Sequence, residues 1–171
     1  MKNAIAKIRF FLIISLVSVG LFSCLPEENF PPETVLEFQG VRFVTIVDGN
    51  LEFPGMIVDI GFQDGDGNLG NLPSDTVPNL FVHVFDVRQD TVVPMLTIDE
   101  VDPEYWVKTF VVPDLGRGSV SGTFNIGFFS DFEWLQRAVE GVVRFKIYIY
   151  DRDLTGSNEV ITPNININVS Q

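Results

Sequence analysis

The stretch FQDGDGNLGNLPSD, residues 62–75, sets Asp64, Asp66 and Asn68 on alternate positions with Gly65 and Gly67 between them. A hard cation such as Ca2+ takes six to eight oxygen ligands, and closely spaced carboxylates on a glycine-hinged chain can wrap one. Counted from Asp64, Asp75 falls at position 12 of an EF-hand loop. Position 6, however, is Leu69 where that loop needs glycine, Pro73 interrupts it, and both flanks read as strands. An EF-hand is excluded. A Ca2+ site in a β-protein would need a second loop, and YDRDLTGSNE, residues 150–159, supplies Asp151, Asp153, Asn158 and Glu159. The candidate metal ligands are therefore Asp64, Asp66, Asn68, Asp151 and Asp153, and Ca2+ is the cofactor that such a site would take. The competing reading is plain turn chemistry, because Asp and Asn side chains accept backbone bonds and tolerate left-handed dihedrals. The choice turns on whether the two loops share one end of the fold, which the strand count leaves open.

Other chemistry is sparse. His83 is the sole histidine and lies in LFVHVFDV, alternating with Phe81 and Phe85, where a packed strand histidine is the ordinary expectation. No HExxH, CxxC or GxSxG surrounds it, and GRGS at 116–119 lacks the lysine and helix of a phosphate loop. Asp64 and Asp66 lack the apolar surround that raises the pKa of a glycosidase acid. No catalytic residues are assigned, and the chain is not expected to be an enzyme. Aromatic side chains offer a binding alternative: Tyr148 and Tyr150 point the same way on one strand, and Trp134 sits with Phe129 and Phe132 in a connector. Such rings stack on sugars, but they also favour strands and plug the ends of cores.

The elements that must position these residues read as strands. In MIVDIGF, Met56, Val58, Ile60 and Phe62 share a face; in FNIGF, Phe124, Ile126 and Phe128 do; in VRFKIYIYD, Phe145, Ile147 and Ile149 point inward. NININV puts Ile165, Ile167 and Val169 on one face and three asparagines on the other. Residues 41–47, 80–87, 91–98 and 105–112 are less regular strand candidates, and the doubly apolar 80–87 predicts a central strand. Only 131–141 has helical spacing, enough for a turn or two. About seven to eight strands with short turns predict an all-β, antiparallel, immunoglobulin-like β-sandwich, with a closed barrel as the alternative.

The amino terminus addresses location. Lys2, Lys7 and Arg9 precede the apolar run Phe10–Phe22, the layout of a secretory signal peptide. Thirteen residues span roughly 20 Å as a helix, too short for the ~30 Å hydrocarbon layer of a bilayer. Leu21-Phe22-Ser23-Cys24 resembles the lipobox of bacterial lipoproteins, in which the cysteine is acylated. That reading accounts for the only cysteine in the chain, since one thiol forms no internal disulfide. Residues 1–23 are thus expected to be removed, 24–35 to form a Pro- and Glu-rich tether on lipidated Cys24, and 36–171 to fold. Processing leaves 8 basic residues against 23 acidic, a net of −15. Such a charge makes nucleic acid a poor partner.

The acidic pair Glu27 and Glu28 is similar to the surface-export signal of Bacteroidetes lipoproteins. Phe62-x-DGDGNLG, NLFVHVFD, YWVKTFVVPDL, VSGTFNI and the closing IYIYDRDLTGSNEVITPNI together resemble a family of uncharacterised Bacteroidetes lipoproteins, over most of residues 56–167. The last loop matches that family at Asp151, Arg152, Ser157 and Asn158. The resemblance implies an immunoglobulin-like sandwich at the outer membrane, facing the exterior, with the periplasmic face as the alternative. The expected partners are the membrane, through Cys24, and either an envelope protein or a glycan.

Overall fold

The computed structural model describes residues 30–72, 75, 77–89, 91–95, 105–108, 118–129 and 135–168. Among these run nine strands: β1 (Val35–Asp48), β2 (Leu51–Asp64), β3 (Leu80–Arg88), β4 (Thr91–Pro94), β5 (Tyr105–Lys108), β6 (Val120–Phe128), β7 (Val142–Ile149), β8 (Val160–Ile161) and β9 (Ile165–Asn166). One sheet has the order β1-β2-β6. The other runs β4-β3-β7-β8, with β5 also on β3 and β9 also on β7. All pairs are antiparallel. This is the immunoglobulin-like sandwich, one sheet holding the first, second and fifth strands of that plan and the other its remaining strands. The nine segments fill seven columns, because β4 and β5 share one edge of β3 while β8 and β9 share one edge of β7.

The core follows from alternation. Met56, Val58 and Ile60 of β2 and Phe124, Ile126 and Phe128 of β6 turn inward to meet Val82, Val84, Val143, Phe145, Ile147 and Ile149 from the opposite sheet. Phe128 stacks on Phe145 across the interface, with ring centroids 4.9 Å apart. As its two apolar faces predict, β3 is central, bonded to β7 on one side and to β4 and β5 on the other. Residues 135–141 form successive turns, with Ala138 N–H donating to Leu135 O and Gly141 N–H to Ala138 O. Ile165 and Ile167 are buried as expected, though only Ile165–Asn166 pair as a strand. Residues 96–98, 109–112, 131–134 and 169 of the sequence expectations lie outside the described residues.

Two features orient the molecule. Fourteen residues of β1 and of β2 form one long hairpin, about 45 Å at 3.3 Å per residue. β6 pairs with β2 only from Met56 onward, so residues 51–55 extend past it. The hairpin turns at Gly49, where φ is +62°, and the tip exposes Val47 and Leu51. At the other end the chain enters the fold. A Cβ on Gly65 would collide with the carbonyl groups of Phe30 and Pro31, so only glycine lets the entering chain cross the loop after β2. Thr34 is buried and Val35 begins β1, so these two residues, grouped with the tether on composition, belong to the sandwich.

Candidate functional site

The two acidic loops do share an end. The loop after β2 and the loop after β7 are joined by Arg152, whose N–H donates to Asn68 O at 3.2 Å and whose Nε donates to Gly70 O at 3.0 Å. Asn68 Nδ2 bridges them as well, donating to Asp66 Oδ2 at 3.0 Å and to Asp153 Oδ2 at 2.9 Å. The two carboxylates fix the orientation of that amide, and its Oδ1 is left buried with no donor. All five residues proposed as ligands are therefore neighbours.

Their oxygens serve the loops themselves. Asp64 is fully buried; its Oδ1 accepts from Thr34 Oγ1 at 2.9 Å and its Oδ2 from Leu69 N–H at 3.0 Å. Asp151 is buried too, and one oxygen accepts from the N–H groups of Asp153 (2.9 Å) and Thr155 (2.8 Å). These are the bonds with which Asp closes turns. Among the described residues, no three His, Cys, Asp or Glu side chains are grouped so as to hold a metal ion. With these oxygens bonded to the loops' own N–H and O–H groups, the donor set in this arrangement does not fit Ca2+.

The crowding still has an electrostatic consequence. Asp66 is raised above the ordinary carboxylate range, first by loss of hydration and then by the charges of Asp64, Asp151 and Asp153; the Asn68 N–H opposes the shift. A carboxyl with a raised folded-state pKa holds its proton more tightly in the folded chain. The associated stability is present at low pH and lost as pH rises through that folded pKa. Asp66→Asn is therefore expected to unfold at higher denaturant than the native chain at pH 7, by less than about 1 kcal/mol, with the difference shrinking toward pH 4. Urea titrations at both pH values check this. A difference independent of pH would trace the effect to hydrogen bonding.

Beside the acidic loops lies an aromatic cluster on the outer face of the second sheet. Phe81 of β3 faces Tyr148 of β7 in register, with the rings parallel and 5.0 Å apart. Tyr150 sets its edge against both, at 5.7 Å from Phe81 and 5.9 Å from Tyr148. His83 continues the row, 5.6 Å from Tyr148, and its pKa is lowered, chiefly by burial and then by Lys146. No known protein family, curated protein or solved structure matches this chain. An open groove of about 780 Å³ runs from Phe81 and Tyr150 along Asn79, Pro78, Val77 and Leu72 to Arg152 and Leu154. That volume is within the range of small-ligand sites.

Tyr148 and Tyr150 were legible as an outward pair, whereas Trp134 and Cys24 lie outside the described residues. Phe81, which alternates with His83 and Phe85, joins them on the same outer face, where its ring stacks on Tyr148. Leu154 is 78% exposed on the groove rim with φ at +62°, a conformation rare for leucine. Nothing in the local sequence announces that dihedral.

Proposed function

We propose that this chain is a lipoprotein of the cell envelope, acylated at Cys24 and displayed at the outer membrane. Its single β-sandwich serves there as a docking module for another envelope protein. One observation carries the reading. The chain enters at the acidic-loop end, while the β1–β2 hairpin extends past β6 at the opposite end and exposes Val47, Leu51 and Phe53, with Phe129 also exposed beside the hairpin. Phe129 lies over Gly127 and Gly55, where a Cβ at either position would meet its ring, and Ile46 also borders Gly55. Leu51, Phe53 and Phe129 lie on one face of the hairpin and Val47, opposite Glu52, on the other, so apolar side chains flank the tip on both sides, the exposure that a partner clasping the hairpin would cover.

The test has two parts. Metabolic labelling with an alkynyl fatty acid is expected to mark the native chain and not Cys24→Ser. Photo-crosslinking from position 51 in intact cells is expected to give a discrete adduct that a Phe53→Ser, Val47→Ser background loses. These exposed substitutions should leave stability within about 0.5 kcal/mol of native. An adduct unchanged by both substitutions would sink the docking role while leaving the anchor standing.

A second reading rests on the Phe81, Tyr148 and Tyr150 cluster and its groove: a glycan-binding accessory of an outer-membrane uptake system. Ring faces beside amide and guanidinium groups are what sugar recognition uses. Binding on a glycan array, lost in Tyr150→Ala with the fold intact, would favour it over protein docking.

A further inference from the structure

The end at which the chain enters carries its own set of exposed apolar side chains. Val77 and Leu154 are 69% and 78% exposed, and Leu72 and Tyr150 are more than a third exposed. All four border the open groove. They come from the connection before β3 and the loop after β7, and Arg152 ties that loop back to Gly70, close to where Phe30 and Pro31 cross Gly65. Leu154 holds a left-handed backbone dihedral while making this exposure. That dihedral closes the turn in which Asp151 accepts from the N–H groups of Asp153, Leu154 and Thr155, and it leaves the leucine side chain in solvent.

We infer that this end rests on the bilayer that holds the Cys24 acyl chains, with Leu72, Val77, Leu154 and Tyr150 in the headgroup layer. The inference rests on the lipid anchor of the proposed function, and chain length commits it to that occupant. Five residues separate Cys24 from Phe30. Six peptide steps at full extension reach about 20 Å, less than half the length of the hairpin. The acylated residue therefore cannot lie far from the end where Phe30 crosses Gly65, and the entry end is the one that faces the membrane. The opposite end, with Val47 and Leu51, stands away from it.

Charge selects the surface. Asp66, Asp75 and Asp153 are exposed at this end, and Arg152 is already bonded to Gly70 O. Anionic headgroups would repel such a face, so zwitterionic ones are its match. The acyl chains supply the affinity, and the four side chains fix the orientation. Tyrosine suits that position, since its ring prefers the headgroup level.

The experiment uses full-length acylated protein in phosphatidylcholine vesicles. Because acylation occupies the only native cysteine, Leu154→Cys and Leu51→Cys each offer a single thiol for an environment-sensitive fluorophore. The label at 154 is expected to shift to shorter wavelength and to be quenched by spin-labelled lipid, the label at 51 to do neither. Including phosphatidylglycerol is expected to weaken quenching at 154. Acylated protein with both labels in water, or with 51 quenched instead of 154, overturns the inference and leaves the anchor intact. Failure of Cys24 to incorporate fatty acid overturns the anchor and this inference with it.

Discussion

Asp64→Ala is expected to lower the free energy of unfolding by about 3–5 kcal/mol, since hydrogen bonds to a buried charged group are worth about 1.5–3 kcal/mol each. Two donors lose their acceptor at once: the Thr34 hydroxyl and the Leu69 N–H, both in buried residues. Asp64 is fully buried, and water enters such a site poorly. For a domain of this size the melting temperature should fall by about 10 °C, at 2–4 °C per kcal/mol. Asp64→Asn should cost roughly half as much, because it keeps one acceptor oxygen and turns an amide N–H toward the other donor. A Thr34→Val, Asp64→Ala double-mutant cycle isolates the bond that fastens the start of β1 to the end of β2. A loss under about 1 kcal/mol would mean that this carboxylate behaves as a surface group. Because the donors belong to the protein, the loss should be equal in EDTA and in millimolar Ca2+. A native melting temperature that rises saturably with Ca2+ and does not in Asp64→Ala would instead make these loops a metal site.

The second large effect belongs to Asn158. Its side-chain amide pairs with one residue of β1 as a neighbouring strand would, accepting from Leu36 N–H at 2.7 Å and donating to Leu36 O at 3.0 Å. Leu36 is buried in the core, so Asn158, in the loop before β8, ties the first sheet to the second. Asn158→Ala is expected to cost about 2–3 kcal/mol, about 1 kcal/mol for each bond plus part of the penalty for two unsatisfied backbone groups. Asn158→Asp keeps the acceptor but sets a carboxylate against the Leu36 carbonyl, and should be at least as harmful. The specific readout is hydrogen exchange at the Leu36 amide, which should accelerate in both variants more than at amides in the middle of β2. Unchanged protection at Leu36 would show that Asn158 does not hold this edge.

The strands that build the core were legible because they are buried on one side. Phe145, Ile147 and Ile149 are all fully buried, while Lys146 and Tyr148 between them are not, the period-two pattern that VRFKIYIY displays. The central place of β3 was legible for a different reason: LFVHVFDV is apolar on both faces, as a strand covered on both sides would be. The count of seven to eight strands matches seven columns filled by nine segments, and no sequence pattern says that β4 and β5 line up along one edge. The parity of the acidic loops depends on that alignment, so their meeting was not legible.

Nor was the division of labour among the acidic residues. DGDGNLG presents Asp64 and Asp66 as equivalent, yet Asp64 is buried under Thr34 while Asp66 is exposed and crowded by charge. Thr34, 30 residues away in sequence, makes the difference. Asn158 was visible as an oxygen-bearing residue of the second acidic loop, but not as the side chain that pairs with the Leu36 backbone.

What this sequence determines by itself is local: which residues alternate, where glycine, proline and aspartate break the chain, which segment is most apolar, and an acidic net charge. Burial on one side of a strand leaves its mark at every second residue, so the pattern survives in one dimension. Only the tertiary structure decides which loops meet, which carboxylate is buried, that Tyr150 stands against Phe81, and that chain entry and hairpin tip lie at opposite ends. Those facts depend on contacts between residues tens of positions apart. A side chain's type states what it can bond, and the packing of the two sheets decides what it does bond.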